Sequence, residues 1–164
     1  MAKRNVHEKG DPILEKRSRL ITDFNVRLHT LLDDMKDTLV SAGGVGLAAP
    51  QVGVLRRAAV VMETNVENED DEFIIELINP EIIDSSGEQT GPEGCLSLPG
   101  KYGIVVRPEH VKVRAQDRNG NTFDYVGDGL TARCLCHEID HLEGVLFTDR
   151  VERMLTPAEI EGEK

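Results

Sequence analysis

The motif His137-Glu138-Ile139-Asp140-His141 constrains the fold of this 164-residue chain more than any other feature of its sequence. In an α-helix, residues four positions apart lie about 40° apart around the axis, so both imidazoles can reach one metal ion. Glu138 then lies on the flank of the same face, close to a metal-bound water. Apolar spacing predicts a helix over Leu130 to Leu142, capped by Asp128 and ended before Gly144. The motif therefore indicates metal-assisted hydrolysis on a helix.

The third metal ligand is open among several candidates. The pattern H-E-x-x-H-x-x-G-x-x-H is excluded because Phe147 stands where its last histidine belongs. Glu161 has the spacing of the third ligand in thermolysin-like peptidases, but it lies in a short tail that is poorly suited to hold a metal. A cysteine thiolate is the remaining ligand type, and it would leave a fourth position for water.

Three cysteines compete for that role. Cys95 follows a glycine at the end of a predicted strand, whereas Cys134 and Cys136 lie on the predicted histidine helix itself. Cys134 is on the metal face, but one turn from His137 it has poor geometry for a tetrahedral site. The alternatives are a structural zinc site of Cys134, Cys136, His137 and His141, a zinc endopeptidase, and a non-catalytic metal-binding module.

The spacing of apolar residues in the rest of the chain predicts an α+β fold. Helical spacing of apolar residues over 23–41 predicts a first helix, capped by Thr22 or Asp23 and stopped by Gly43-Gly44. Apolar or alternating runs predict strands at 58–62, 73–78, 111–115 and 122–126, with Asn119-Gly120 as a two-residue hairpin turn. We expect one domain over residues 1–164, with a tail from about residue 151 in which Thr156 and Pro157 start a fraying helix.

Composition narrows the functional classes. With 19 Lys+Arg and 30 Asp+Glu the net charge is −11, which argues against DNA as a partner. Residues 63–93 hold eleven acids and no Lys or Arg, so the acidic excess belongs to one segment; most of it is expected to be a solvated loop, with Glu93 as the exception. The sequence has neither an apolar run long enough to span a bilayer nor a signal-peptide pattern, and three cysteines are too few for a disulfide framework. We expect a reducing, cytoplasmic location and no membrane partner.

Three segments together resemble, in order, the signature motifs of the peptide deformylase family. They are Gly44-Val45-Gly46-Leu47-Ala48-Ala49-Pro50-Gln51, Glu93-Gly94-Cys95-Leu96-Ser97 and the histidine motif above. Residues 10–14 and 78–80 are also similar to that family. The resemblance implies antiparallel sheets packed around a central helix that carries the H-E-x-x-H. It also implies removal of the N-formyl group from the N-terminal methionine of newly made polypeptides, with release of formate.

The resemblance assigns roles to individual residues. Cys95, His137 and His141 would bind the metal, and Glu138 would transfer the proton. The side-chain amide of Gln51 and the backbone N–H of Leu96 would stabilise the oxyanion. The methionine side chain would lie along Val45, Leu130 and Cys134, and Gly46 and Gly94 would hydrogen-bond the substrate backbone as an added strand.

The resemblance also implies cofactor and partners. One divalent metal ion is expected per chain, with Fe²⁺ in the cell and Zn²⁺, Ni²⁺ or Co²⁺ as substitutes. The partners are N-formyl-methionyl nascent peptides. Cys136 stands where many relatives have Gln, and we expect only a packing change there. The tail lacks the basic helix by which some members dock on the ribosome, so transient contact with ribosomal RNA is expected instead from a basic cluster: Lys3, Arg4, Lys9, Lys16, Arg17 and Arg19.

Overall fold

Two antiparallel β-sheets and three helices make up the fold of the described residues, 2–162, in a computed structural model. The larger sheet has the strand order β1-β2-β3-β6-β7, and the smaller has the order β4-β5-β8. The helices are α1 (Val26–Ala42), α2 (Leu130–Leu142) and α3 (Pro157–Gly162). The strands are β1 (Gly46–Ala48), β2 (Ala58–Glu63), β3 (Phe73–Ser86), β4 (Gln89–Cys95), β5 (Leu98–Arg107), β6 (His110–Gln116), β7 (Thr122–Asp128) and β8 (Arg153–Met154). The α+β prediction is confirmed.

Helix α2 has the predicted bounds, and it packs against β1, β2 and β7. Most of its residues are buried, including His137, Glu138 and His141. The predicted cap is wrong: Gly129 occupies the N-cap with φ 58°, and Asp128 pairs with His110 across the β6–β7 ladder at 2.6 Å. The hydroxyl of Thr131, in the first turn, donates to the buried carboxylate of Glu63.

Helix α1 begins three residues later than predicted. Asn25, not Thr22 or Asp23, is the N-cap, and its side chain accepts from the N–H of Leu28 at 3.1 Å. Its apolar stripe lies in one core cluster with residues of β1 and β2, and the left-handed Gly43 (φ 69°) ends it as predicted. At the other end of the chain, Thr156 and Glu159 form the predicted capping box of α3.

All four predicted strands exist, but the sequence underestimated the sheets. Strand β3 continues past its predicted end at residue 78 through irregular register positions to Ser86. The β6–β7 turn spans residues 117–121 and not two residues, because the Asp117 side chain accepts from the N–H groups of Asn119 and Asn121. Strand β5 was missed, and of β4 only its end at Cys95 was anticipated. Gly91, Pro92 and Gly94 weaken the pattern of β4, and an edge strand tolerates such residues.

Among residues 2–162, no helix is both long enough and apolar enough to cross a membrane.

Candidate active site

Three side chains, from strand β4 and helix α2, converge on one small region. Cys95 ends β4, and His137 and His141 lie on successive turns of α2. The Sγ of Cys95 lies 3.3 Å from His141 Nε2, and the two histidine Nε2 atoms lie 3.1 Å apart. All three ligand atoms lie within 4.8 Å of one another, and both histidines are buried. No other group of three such atoms occurs within the described residues.

A buried carboxylate orients the first histidine. Glu93 Oε2 lies 2.6 Å from Nδ1 of His137, and Arg107 and Arg133 both donate to the same carboxylate at 2.6–3.0 Å. Burial raises the pKa of Glu93, but the hydrogen bonds from His137 and Arg107 outweigh it and lower the pKa to about 2. An ionised carboxylate only accepts, so Nδ1 of His137 carries a hydrogen and its Nε2 faces the cluster. Arg107 also donates to Asp140 at 2.7 Å.

Glu138 lies beside the cluster with little solvent contact. It is 4% exposed, its Oε2 is 4.0 Å from His137 Nε2, and its Oε1 has no hydrogen-bond partner among the described residues. Burial raises the pKa of Glu138 to about 7. A carboxyl group that titrates near neutrality is suited to accept and return a proton.

Gln51 lies on the opposite side of Cys95, in the short turn that follows β1. Its Oε1 accepts from the N–H of Ala48 at 2.9 Å, while its Nε2 points at Ser97 Oγ (3.0 Å) and at Cys95 Sγ (3.5 Å). The N–H of Ser97 also points at that sulfur, at 3.4 Å. Two N–H groups are therefore directed at the Cys95 sulfur, one from a side chain and one from the backbone.

The other two cysteines are separate from this cluster. Cys134 and Cys136 are buried in the core between α2 and the larger sheet, and neither contributes an atom to a metal-binding group in the described part of the chain. Burial raises the pKa of Cys134 to about 12 and that of Cys136 to about 11, so both stay protonated at neutral pH. The geometry thus disfavours the structural zinc alternative. Phe147 stands where the excluded three-histidine pattern has its last histidine. Its ring packs against that of His137, with ring centroids 6.2 Å apart.

The cluster opens into a cleft of about 440 Å³ between the two sheets. One wall contains Gly46 of β1, and the other contains Gly94 of β4; both strands are sheet edges. Val45 and Leu130 are exposed at the cleft, whereas Cys134 is buried there. Leu96, between the cluster and β5, also lines the cleft.

Comparison with known proteins agrees with this geometry. A family model described as "Polypeptide deformylase" matches residues 3–156. The chain belongs to the polypeptide deformylase family. The family is metal-dependent, in keeping with the Cys-His-His group described above.

Individual relatives cover nearly the whole chain. A peptide deformylase of Lachnoclostridium phytofermentans is 58% identical over 92% of this chain and 90% of its own. One of Caldanaerobacter subterraneus subsp. tengcongensis is 52% identical over 100% and 99%. Among solved structures, the peptide deformylase of Legionella pneumophila is 43% identical with a TM-score of 0.84, covering 98% of this chain and 90% of that one. That of Thermotoga maritima is 35% identical with a TM-score of 0.85, covering 93% and 99%.

The sequence did not predict a role in the site for two residues, Arg133 and Ser97. Arg133 lies one turn before His137 on α2 and shares Glu93 with it. A spacing of four residues places Arg133 on the same helix face as His137, but the shared carboxylate comes from a distant strand. Ser97, the last residue of the cysteine motif, is fully buried and receives the Gln51 amide. Nothing in the local sequence distinguishes it from an ordinary turn serine.

Proposed function

We propose that Cys95, His137 and His141 hold one divalent metal ion and that Glu138 is the acid-base group of the reaction. The family removes the N-formyl group from the N-terminal methionine of new polypeptides, and this chain is a hydrolase of that kind. The observation that carries the proposal is the convergence of the three ligand atoms within 4.8 Å next to the buried Glu138.

The donor set fits a metal ion. Glu93 fixes the hydrogen of His137 on Nδ1, which leaves the Nε2 lone pair free for coordination. The Nε2 atoms of His137 and His141 face each other at 3.1 Å, and the Cys95 sulfur lies at 3.3 Å from the second. Three electron pairs directed at one small region are stabilised by a cation. When bound, such an ion would lower the pKa of water and polarise the formyl oxygen.

The protein side chains would then carry the proton and the developing charge. Glu138 accepts a proton from the attacking water and later delivers one to the amine that leaves. Its burial keeps bulk water from competing for that proton. The Nε2 of Gln51 and the N–H of Leu96 donate to the oxygen that becomes negative in the tetrahedral state. Gln51 is 1% exposed and held from both ends of its amide, so its donor is oriented before the substrate arrives.

The two sheet edges explain how a peptide would be held. An extended chain between β1 and β4 would pair its backbone with Gly46 on one side and Gly94 on the other. The methionine side chain would extend along Val45 and Leu130 toward Cys134. This arrangement recognises backbone and one unbranched side chain, as suits an enzyme that acts on many different polypeptides.

We propose Fe²⁺ as the metal in the cell, with Zn²⁺, Ni²⁺ or Co²⁺ as substitutes. One thiolate and two imidazoles suit all four ions, and a ferrous thiolate site would be oxygen-sensitive. Metal analysis and activity of protein purified without air test this assignment. Equal activity of fully zinc-loaded and iron-loaded protein would contradict it.

We also propose that residues 1–164 form one catalytic domain that makes transient contact with the ribosome. The tail supports the first point because β8 pairs with β5. For the second, Arg4 is paired with Asp34 and Arg17 with Glu143, which leaves four cations of the cluster without a carboxylate partner among the described residues: Lys3, Lys9, Lys16 and Arg19. Co-sedimentation with ribosomes at low and high salt tests this, since an electrostatic contact weakens as salt rises.

A formate-release assay on a formyl-Met peptide tests the proposed function. The parent should release formate, and Cys95→Ala and Glu138→Ala should each lose at least about 100-fold in kcat. Exposed Glu81→Ala is the matched control. An endopeptidase would cleave casein instead, and a non-catalytic metal module would be unaffected by Glu138→Ala; either result would contradict the proposal.

A further inference from the structure

A short N-terminal strap, residues 7–9, passes across the back of the active site. The backbone N–H of His7 donates to the carbonyl oxygen of Gln51 at 2.7 Å, and that of Lys9 donates to the carbonyl oxygen of Ser97 at 2.8 Å. The strap thus joins two motif residues that lie 46 positions apart in the sequence. Each of them is almost completely buried.

The same two residues bond to each other through their side chains. Gln51 Nε2 donates to Ser97 Oγ at 3.0 Å, so strap, Gln51 and Ser97 form a closed hydrogen-bonded ring. Within that ring, Gln51 Nε2 and the N–H of Ser97 both point at Cys95 Sγ. A shift of either motif residue would therefore move a donor away from the sulfur.

The strap is itself fastened on both sides. Before it, Arg4 bonds to Asp34 through its side chain and to Thr38 through its backbone N–H, both on α1. After it, Asp11 contacts the His7 ring at 2.6 Å and accepts from the N–H of Ile13 at 3.1 Å. The strap consequently has little freedom of its own, and it can hold the two carbonyl groups in place.

We propose that the strap is a positioning element for the oxyanion donor, acting through the backbone N–H groups of His7 and Lys9. This inference rests on the proposed role of Gln51. The amide of Gln51 must be aligned before the substrate binds, because an oxyanion donor contributes most when it need not reorganise during the reaction. Without the strap, the backbone carbonyl of Gln51 would lose its link to the cysteine motif, and only the side-chain bond to Ser97 would connect the two.

The test uses proline to remove one N–H and alanine to keep it. His7→Ala measures the contribution of the ring, and His7→Pro adds loss of the N–H. We expect kcat to be about threefold to tenfold lower in His7→Pro than in His7→Ala, with KM changed by less than about twofold, as for loss of one hydrogen bond. The Lys9→Pro and Lys9→Ala pair tests the second contact in the same way. Equal kcat within either pair of folded variants overturns the proposal.

A double-mutant cycle separates positioning of Gln51 from general damage. In a Gln51→Ala background, the His7→Pro effect should fall below about twofold, because the donor that it orients is gone. The same loss in both backgrounds would show that the strap acts elsewhere, and it would overturn the proposal. If Gln51→Ala alone has no effect, the proposed role of Gln51 fails independently of the strap.

Amide hydrogen exchange supplies a readout that does not depend on activity, and its first comparison uses the parent protein alone. The N–H groups of His7 and Lys9 should exchange more slowly than that of Glu8, which has no hydrogen-bond partner among the described residues. Residues 49–52 should also exchange faster in His7→Pro than in His7→Ala. Fast exchange of His7 and Lys9 in the parent would overturn the proposal even if formate release is confirmed.

Discussion

The backbone of Gly46 lies directly against the carboxylate of Glu138. A Cβ at position 46 would lie 2.5 Å from Glu138 Oε2 and 2.9 Å from its Cδ, which is closer than atoms approach without moving. The glycine of the first motif is therefore needed for Glu138, the proposed acid-base residue, to occupy its position. It also leaves the edge of β1 accessible from the cleft.

Replacement of Gly46 by alanine should displace the Glu138 carboxylate. We expect kcat for formate release to fall about 10- to 100-fold, since small displacements of catalytic groups have effects of this size. Gly91→Ala on β4 is the matched control, because its Cβ would meet only Arg133 Nη2 at 3.7 Å, an ordinary contact. Full activity of Gly46→Ala would show that Glu138 tolerates displacement and would argue against its proposed role.

Replacement of Gln51 by alanine tests its proposed role as an oxyanion donor. Loss of one such donor costs about 10²–10³ in kcat. Metal content should be retained, because Gln51 is not one of the three converging ligands. Steady-state kinetics together with metal analysis check both points, and Gln51→Met serves as a variant of similar volume that also lacks the donor. Activity within threefold of the parent would remove Gln51 from the mechanism.

Replacement of Glu93 by glutamine should weaken both folding and metal binding. The change leaves Arg107 and Arg133 buried beside a neutral amide, and breaking a buried ion pair typically costs about 3–5 kcal/mol. It also weakens the acceptor for His137 Nδ1, which should lower metal affinity about 10- to 100-fold. Urea unfolding and competition with a chelator measure the two effects. Exposed Glu81→Gln is the control, and unchanged affinity would show that Glu93 does not support the ligand.

Acyl-group selectivity should follow from the crowded surroundings of the reacting carbon. In the proposed site that carbon would fit among Glu138, Gln51, Cys95 and Leu96, and an acetyl group brings a methyl where formyl has a hydrogen. We expect kcat/KM to be at least about 100-fold higher for formyl-Met than for acetyl-Met peptides of the same sequence. Similar values for the two substrates would exclude a steric origin of selectivity.

Acid stability should depend on Glu76, outside the active site. Burial raises its pKa, but hydrogen bonds from Arg118 and Lys36 outweigh this and lower it below the ordinary value of 4.5. The ion pairs therefore stabilise the fold above the unfolded-state pKa, and this contribution is lost as pH falls through the lower folded-state pKa. Glu76→Gln should reduce the free energy of unfolding by roughly 1.5–3 kcal/mol at pH 7. The difference from the parent should shrink below about pH 4.5, and a constant difference down to pH 2 would contradict this account.

The acidic residues of segment 63–93 lie in two different environments, some exposed to solvent and some buried. Residues 67–71 are exposed, as the sequence predicted for a solvated loop. Glu63 and Glu93, however, are buried, and Glu76 is largely so, each with partners that come from distant parts of the chain. Only the fold brings Tyr125 and Thr131 to Glu63, or two arginines to Glu93. Charge counts along the sequence could not distinguish these acids from those in the loop.

By itself, the sequence determined the elements whose pattern is local. The helical repeat gave α2 its bounds and placed His137, Glu138 and His141 on one face, and apolar alternation located the core strands. Spacing alone did not choose among Cys95, Cys134 and Cys136, and only the family resemblance implied Cys95, since that choice depends on where β4 ends relative to α2. The tertiary structure placed the Cys95 sulfur 3.3 Å from His141 and buried the other two thiols in the core. The tertiary structure also placed the edge strands β1 and β4 on either side of one cleft. The sequence could not predict this arrangement, because the packing of distant segments, unlike helical periodicity, is not encoded in neighbouring residues.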